Sequence, residues 1–235
     1  MSYDQKVLPI HIGYDEVEPV AWHTLSHSII NHATIPVSLN PVAIEHFHSF
    51  FRRERDVKQS NAFSFSRFCV PYLNNFNGYA LFMDCDMMLR CDIKELLTVI
   101  DEQPNKAVYV VKHDYEPSEK VKYLNTIQYV YPRKNWSSFV LWNCGHPANK
   151  AVDEKFFNSA SGLELHRFTW LDDDDIGELP VEWNWLVGDY IDPPDNVKNV
   201  HWTNGGPYFN EYRDCDFSEE WRQMQHTANY CKQRT

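Results

Sequence analysis

Hydrophobic and polar positions change period repeatedly along this chain. Residues 7–13 (VLPIHIG) make a compact apolar run closing on a glycine, the pattern of a buried strand that ends in a turn. Pro19 then opens a segment in which Leu25 and Ile29 lie four apart, so both fall on one face of a helix. Phe65, Phe68, Cys69 and Tyr72 recur at i, i+3, i+4 and i+7, which predicts a second helix whose apolar stripe leaves Arg67 on another face. The turn-rich NNFNG leads into an apolar run at 78–83 (GYALFM) that stops abruptly at Asp84-Cys85-Asp86. Strands are also expected at 107–111 and 138–142, helices at 93–100 and 147–157, and a strand-like approach at 197–200. The last segment opens with Ser218, Glu219 and Glu220 and closes with Lys232 and Arg234, a charge order that complements the dipole of a closing helix.

Buried strands alternating with helical segments indicate an α/β fold in which helices cover a mostly parallel sheet. Such sheets bind ligands beside the carboxyl ends of their strands, so the two acids that follow residue 83 mark a candidate site by position alone. No linker or composition break interrupts the chain, and residues 1–235 are read as a single domain. Eight Trp, thirteen Tyr and fourteen Phe within a 43 % hydrophobic composition suffice to fill a core and line a pocket.

Charge narrows the partners. A formal net charge of −11 argues against binding to nucleic acid, an affinity that depends heavily on Lys and Arg neutralising phosphates. A phosphate-bearing ligand would instead need a metal ion. The six cysteines form no C-x-x-C pair and are read as reduced thiols. The amino terminus has neither the basic start nor the apolar run of a signal peptide, and no stretch approaches the roughly 18 apolar residues of a membrane span. The expectation is a cytoplasmic protein without a membrane span.

Asp84 and Asp86 share a face if the strand continues, and in a tight loop both can still reach one cation. Their hard oxygens favour Mn²⁺ or Mg²⁺. His201 precedes Trp202-Thr203-Asn204-Gly205-Gly206-Pro207, where two glycines let backbone N–H groups come close to an anion. A lone histidine is more commonly a hydrogen-bonded structural residue than a ligand, so His201 gains weight only in company. The acidic run 172–175 has the ordinary reading of a solvated loop or helix start. His23 and His27 are four apart but lack the Glu of H-E-x-x-H, and read as helix-face residues. The absence of P-loop, G-x-G-x-x-G and G-x-S-x-G motifs removes support for an ATPase, a dehydrogenase or an α/β-hydrolase.

Taken in order, Ile12-Gly13-Tyr14-Asp15, Ser66-Arg67-Phe68, Phe82-Met83-Asp84-Cys85-Asp86, and His201 with its Gly205-Gly206-Pro207 turn span most of the chain. Together they resemble the retaining family 8 glycosyltransferases, related to glycogenin and the bacterial lipooligosaccharide galactosyltransferases. The resemblance implies a GT-A type nucleotide-diphospho-sugar transferase fold. It implies transfer of a hexose from a nucleotide sugar, a UDP-sugar, to a hydroxyl acceptor such as a glycan or small glycoside, with retention of configuration. Asp84, Asp86 and His201 would hold Mn²⁺ (or Mg²⁺) against the donor pyrophosphate, offsetting the charge that develops on the departing nucleoside diphosphate. Donor contacts are implied for Gly13, Tyr14 and Asp15 at the nucleoside, for Arg67 at the sugar or pyrophosphate, for Cys85 within the acidic loop, and for the backbone of Gly205 and Gly206 at the phosphates. In that family an acidic or amide residue ahead of a Trp/Phe-Asn pair lies near the anomeric carbon. Here the pair is Trp183-Asn184, and Asp173 or Asp174 is the implied catalytic residue, as nucleophile or as stabiliser. One departure is that HWTNGGPYF carries no basic residue before Arg213.

Two alternatives stand beside this reading. A sugar-phosphate nucleotidyltransferase would share the layered architecture, but Gly13-Tyr14-Asp15-Glu16 is acidic where such enzymes carry a Gly-rich basic loop. A non-catalytic carbohydrate- or nucleotide-sugar-binding protein could keep the same fold.

Overall fold

The computed structural model describes residues 4–55, 59–113, 133 and 135–230. Its strands are β1 (Leu8–Gly13), β2 (Val37–Val42), β3 (Tyr79–Met83), β4 (Met87–Leu89), β5 (Val108–Val110), β6 (Phe139–Asn143), β7 (Ile176–Glu178), β8 (Trp185–Leu186) and β9 (Asn199–His201). The helices are α1 (Pro19–His32), α2 (Val70–Leu73), α3 (Thr98–Glu102), α4 (Glu154–Ser159), α5 (Gly162–His166) and α6 (Ser218–Ala228).

The main sheet has the order β2-β1-β3-β6-β5-β7. Only β6 is reversed, so the expected mostly parallel sheet is the one that forms. Its central strands are buried on both faces, which is why β1, β3 and β6 read as continuous apolar runs rather than alternating ones. The outer strand β2 tolerates Pro41 because an edge position needs no N–H on its open side. Trp142 of β6 stacks on Trp170 with ring planes only 2° apart and touches Phe168, closing the core on that face.

A smaller sheet, β4-β9-β8, was not legible as such in the sequence. β4 and β9 run antiparallel with Met87 opposite His201, and β8 lies parallel to β9. A separate apolar cluster of Met88, Trp185, Val200, Trp202 and Trp221 supports it. Trp221 comes from α6, and the Trp202 indole N–H donates to the Asp216 carbonyl at 3.0 Å.

Several helical segments are more broken than their periods predict. Residues 65–72 form a 3₁₀ turn at Ser66–Cys69 followed by the short α2, and Arg67 is buried rather than set apart on an outer face. Residues 93–100 likewise split into a 3₁₀ turn at Ile93–Leu97 and α3. The segment at 147–157 is interrupted where the Asp153 side chain accepts from Phe156 N and starts α4. Lys232 and Arg234 lie outside the described residues. Cys69, Cys85, Cys91, Cys144 and Cys215 are free thiols. No helix among the described residues is long and apolar enough to cross a membrane.

The core predicts its own weak point. Trp142→Ala should remove about 3–5 kcal/mol of stability, because a fully buried indole leaves a cavity that stacked neighbours cannot fill; urea denaturation measures it.

Candidate metal centre

At the carboxyl end of β3 the chain is still tied to the sheet, since Asp84 N donates to the Ser138 carbonyl at 2.9 Å. β4 begins three residues later. Between them, Cys85 turns to α1 and its thiol donates to Glu18 Oε1 at 3.5 Å. The β4–β9 register then sets His201 beside the acidic loop, and Trp202 N donates to the Asp86 carbonyl at 2.9 Å. The result is a triad in which one ligand atom each from Asp84, Asp86 and His201 lies within 4.8 Å of the others. His201 Nε2 stands 3.3 Å from Asp86 Oδ1.

Burial makes this cluster electrostatically costly. Arg67 Nη1 lies 2.7 Å from Asp84 Oδ1 with both side chains buried, and donates to the Ser137 carbonyl at 3.1 Å. Its guanidinium also sits over the rings of Phe63 and Phe82 at 5.3 and 5.2 Å. Burial nevertheless lifts the Asp84 carboxyl above the usual carboxylate range, with Arg67 acting in the opposite direction. Burial, reinforced by Asp86, raises Glu18 as well; Glu18 Oε2 accepts from the Tyr208 hydroxyl at 2.6 Å. Asp86 Oδ1 is buried and accepts no hydrogen bond from the described residues. Such a donor set fits a small divalent cation, whose cis ligands stand about 3 Å apart, and a cation would offset the desolvation of the two aspartates.

Behind the triad, His201 Nδ1 bonds Asn184 Oδ1 at 2.9 Å, and Asn184 Nδ2 bonds His113 Nε2 and Ser138 Oγ, both at 2.9 Å. His113 Nδ1 reaches the Tyr190 hydroxyl at 2.7 Å. Burial pushes the His113 imidazole down to about 3, so it is neutral at ordinary pH.

The remaining expected donor residues fall into two groups. Gly13, Tyr14 and Asp15 lie at the carboxyl end of β1, next to β3, where Ile12 pairs with Met83. Asp15 is a loop brace, its two oxygens accepting from Val17 N at 3.0 Å and Ala62 N at 2.8 Å. A Cβ on Gly13 would lie 2.4 Å from the Phe63 ring, so packing already demands glycine there. Gly205 (φ +134°) and Gly206 carry a similar demand, from the rings of Tyr212 and Tyr208.

Asp173 and Asp174 are not brought to the triad, which corrects the expectation that one of them acts there. β7 pairs in parallel with β5, with Ile176 opposite Val108, and through β6 that level corresponds to Ala80 at the amino end of β3. The acidic run precedes Ile176, three strands across and at the opposite edge of the sheet from Asp84. Strand rise and spacing put it about 20 Å away. Asp172, Asp173 and Asp174 are exposed, and Asp173 pairs with Arg133. Sequence spacing did not reveal which end of a strand the run would occupy. Sequence reasoning also missed Glu18, His113 and the hydrogen-bonding role of Asn184; the one available signal was a polar residue between Trp183 and Trp185 in an otherwise apolar segment.

Comparison with known proteins places the chain. It is 43 % identical to Protein CDI of Arabidopsis thaliana over 226 residues, covering 94 % of this chain and 86 % of that protein. The chain belongs to the CDI family. No protein-family model matches it. Among solved structures it is similar to the glycosyltransferase GlyE of Streptococcus pneumoniae TIGR4 (TM-score 0.62, 12 % identity, 94 % of this chain) and to the bifunctional glycosyltransferase WbbM (TM-score 0.60, 17 % identity, 94 % of this chain). It spans 60 % of the GlyE chain and 50 % of WbbM. It also matches the galactosyltransferase LgtC in complex with donor and acceptor sugar analogs (TM-score 0.57, 12 % identity), over 96 % of this chain and 98 % of that one. These likenesses show a fold of the GT-A glycosyltransferase type.

Two substitutions separate the buried cluster from the acidic run. Arg67→Met leaves the Asp84 carboxylate buried beside Asp86 without its cationic partner and should cost about 3–5 kcal/mol in urea denaturation. Asp173→Asn with Asp174→Asn should leave any divalent-cation affinity of the triad, read by calorimetry, within about twofold of the native chain, because exposed charges about 20 Å away are screened.

Proposed function

We propose that this chain is a glycosyltransferase dependent on a divalent cation, Mn²⁺ or Mg²⁺. On this reading it acts as a single domain that moves a hexose from a UDP-sugar to a hydroxyl of a glycan or small glycoside, with retention of configuration. The observation that supports it is the convergence of Asp84, Asp86 and His201 at the carboxyl edge of β3 and β9, within a fold shared with glycosyltransferases. LgtC, of comparable length and fold, is a galactosyltransferase whose structure holds donor and acceptor sugar analogs, and this points the same way.

The side chains divide the work. Asp84 and Asp86 each offer an oxygen to the ion, and His201 offers Nε2. When bound, the ion supplies positive charge against the charge developing on the leaving diphosphate. Arg67 holds Asp84 in place and neutralises part of its charge. Gly13 and Tyr14 border the nucleoside from the neighbouring β1, and the Gly205-Gly206 backbone, held by its tyrosine rings, borders the phosphates. Cys85 shapes the acidic loop through its bond to Glu18 rather than by facing the donor. The position of Asp173 and Asp174 leaves them outside the reacting groups.

The direct test is UDP release from a panel of UDP-sugars with and without Mn²⁺, comparing the native chain with Asp86→Ala and His201→Ala. Mn²⁺-dependent release that falls more than about 100-fold in both variants is the expected result. UDP binding with Mn²⁺ but no release from any donor would favour the non-catalytic alternative. If neither binding nor release occurs, a nucleotide-sugar function is wrong.

A further inference from the structure

We infer that Asn184 is a positioning residue that fixes the tautomer of His201, denying it an internal hydrogen bond to Asp86 and keeping Nε2 as a lone pair for the cation. The inference rests on the proposed ion site for its purpose, but the tautomer can be tested without any ion.

The chain of donors and acceptors starts at Ser138. Its hydroxyl donates to the Asn135 carbonyl at 2.7 Å, so towards Asn184, 2.9 Å away, Oγ acts as an acceptor. The Asn184 atom facing it is therefore the amide nitrogen. The same nitrogen has a second proton, directed at His113 Nε2 at 2.9 Å. With both protons of Nδ2 committed, Oδ1 is the end that meets His201 Nδ1 at 2.9 Å, and a carbonyl oxygen can only accept. His201 must then carry its proton on Nδ1.

The consequence appears on the other side of the ring. In the neutral ring, the form able to bind a cation, His201 Nε2 then presents a lone pair to Asp86 Oδ1 at 3.3 Å, and Asp86 Oδ1 is itself a buried acceptor with no donor among the described residues. Two acceptors at that distance repel unless a cation lies between them. The opposite tautomer would let Nε2–H approach Asp86 and fill the place of the ion. Asn184, wholly buried and anchored by groups leading into β6 and following β5, holds the ring against that closure. Outer groups of this kind set both ring orientation and tautomer at histidine metal sites.

Nitrogen-15 NMR of the histidine-labelled, ion-free native chain, together with Mn²⁺ calorimetry, tests the inference. The His201 proton is expected on Nδ1. Asn184→Ala should let it migrate to Nε2 and weaken Mn²⁺ binding by about 10- to 100-fold. Asn184→Asp, which still accepts from Nδ1–H, should retain the native tautomer and bind Mn²⁺ at least tenfold more tightly than Asn184→Ala. Should Asn184→Ala fail to fold, the native spectrum and the Asp variant decide. A native His201 protonated at Nε2, an Asn184→Ala variant with unchanged tautomer and affinity, or an Asp variant as impaired as Ala would each overturn the assignment. A native chain with the Nδ1 proton that binds no Mn²⁺ would support the tautomer assignment and sink the proposed ion site instead.

Discussion

Met87 opposite His201 is the pairing on which the centre depends. Side chains alternate across a strand, so a slip of one residue between β4 and β9 would turn His201 away from Asp84 and Asp86. Two three-residue strands are too short to fix that register by their own ladder. Its stability comes from the apolar cluster beneath them, where Met88 and Val200 pair across the ladder and Trp202 and Trp221 pack alongside. The Trp202 N–H to Asp86 carbonyl bond extends the register past the end of β9 to the acidic loop itself. A small hydrophobic core thereby positions a polar site that works against folding.

That opposition is visible in the charges. Asp84 and Glu18 are buried close to Asp86, and their carboxyls are raised first by lost hydration and then by the charge of Asp86. The Arg67–Asp84 contact does not make the cluster a net source of stability, because desolvating an ion pair costs about as much as the pair returns. Phe63 and Phe82, which flank the guanidinium, shield the pair from water and strengthen its attraction. The acidic run at 172–175 shows the contrast. Its first three carboxylates are exposed and hydrated, so their proximity costs little, and solvation suffices to explain them.

How much was legible in the sequence follows from the range of the interactions involved. β1 and β3 could be read because both faces are buried and their residues are apolar without interruption. Asp84 and Asp86 could be read because they end such a run, and His201 because it ends another. The helix expected at 65–72 formed only in part: Arg67 is drawn inward by Asp84, seventeen positions away, a force no local period records. β8 is only two residues long, and its neighbour β9 is shared with a strand more than a hundred positions earlier. Asp173 and Asp174 were misplaced because sequence order alone did not reveal that their run enters β7 at the edge opposite Asp84.

The late turn HWTNGGPYF has no lysine or arginine, and the structure sharpens what that absence asks of the rest of the site. Among the described residues the cation at the triad is Arg67, and it is already engaged by Asp84 and by the Ser137 carbonyl. On the proposed reading, neutralising a diphosphate then falls mainly to the ion. A site that depends so fully on its ion gains more from exact placement of each ligand than one with basic side chains in reserve. A buried asparagine with every polar atom committed, bonding a histidine that sits 1 % exposed at the end of a strand, is the kind of support such a demand would select.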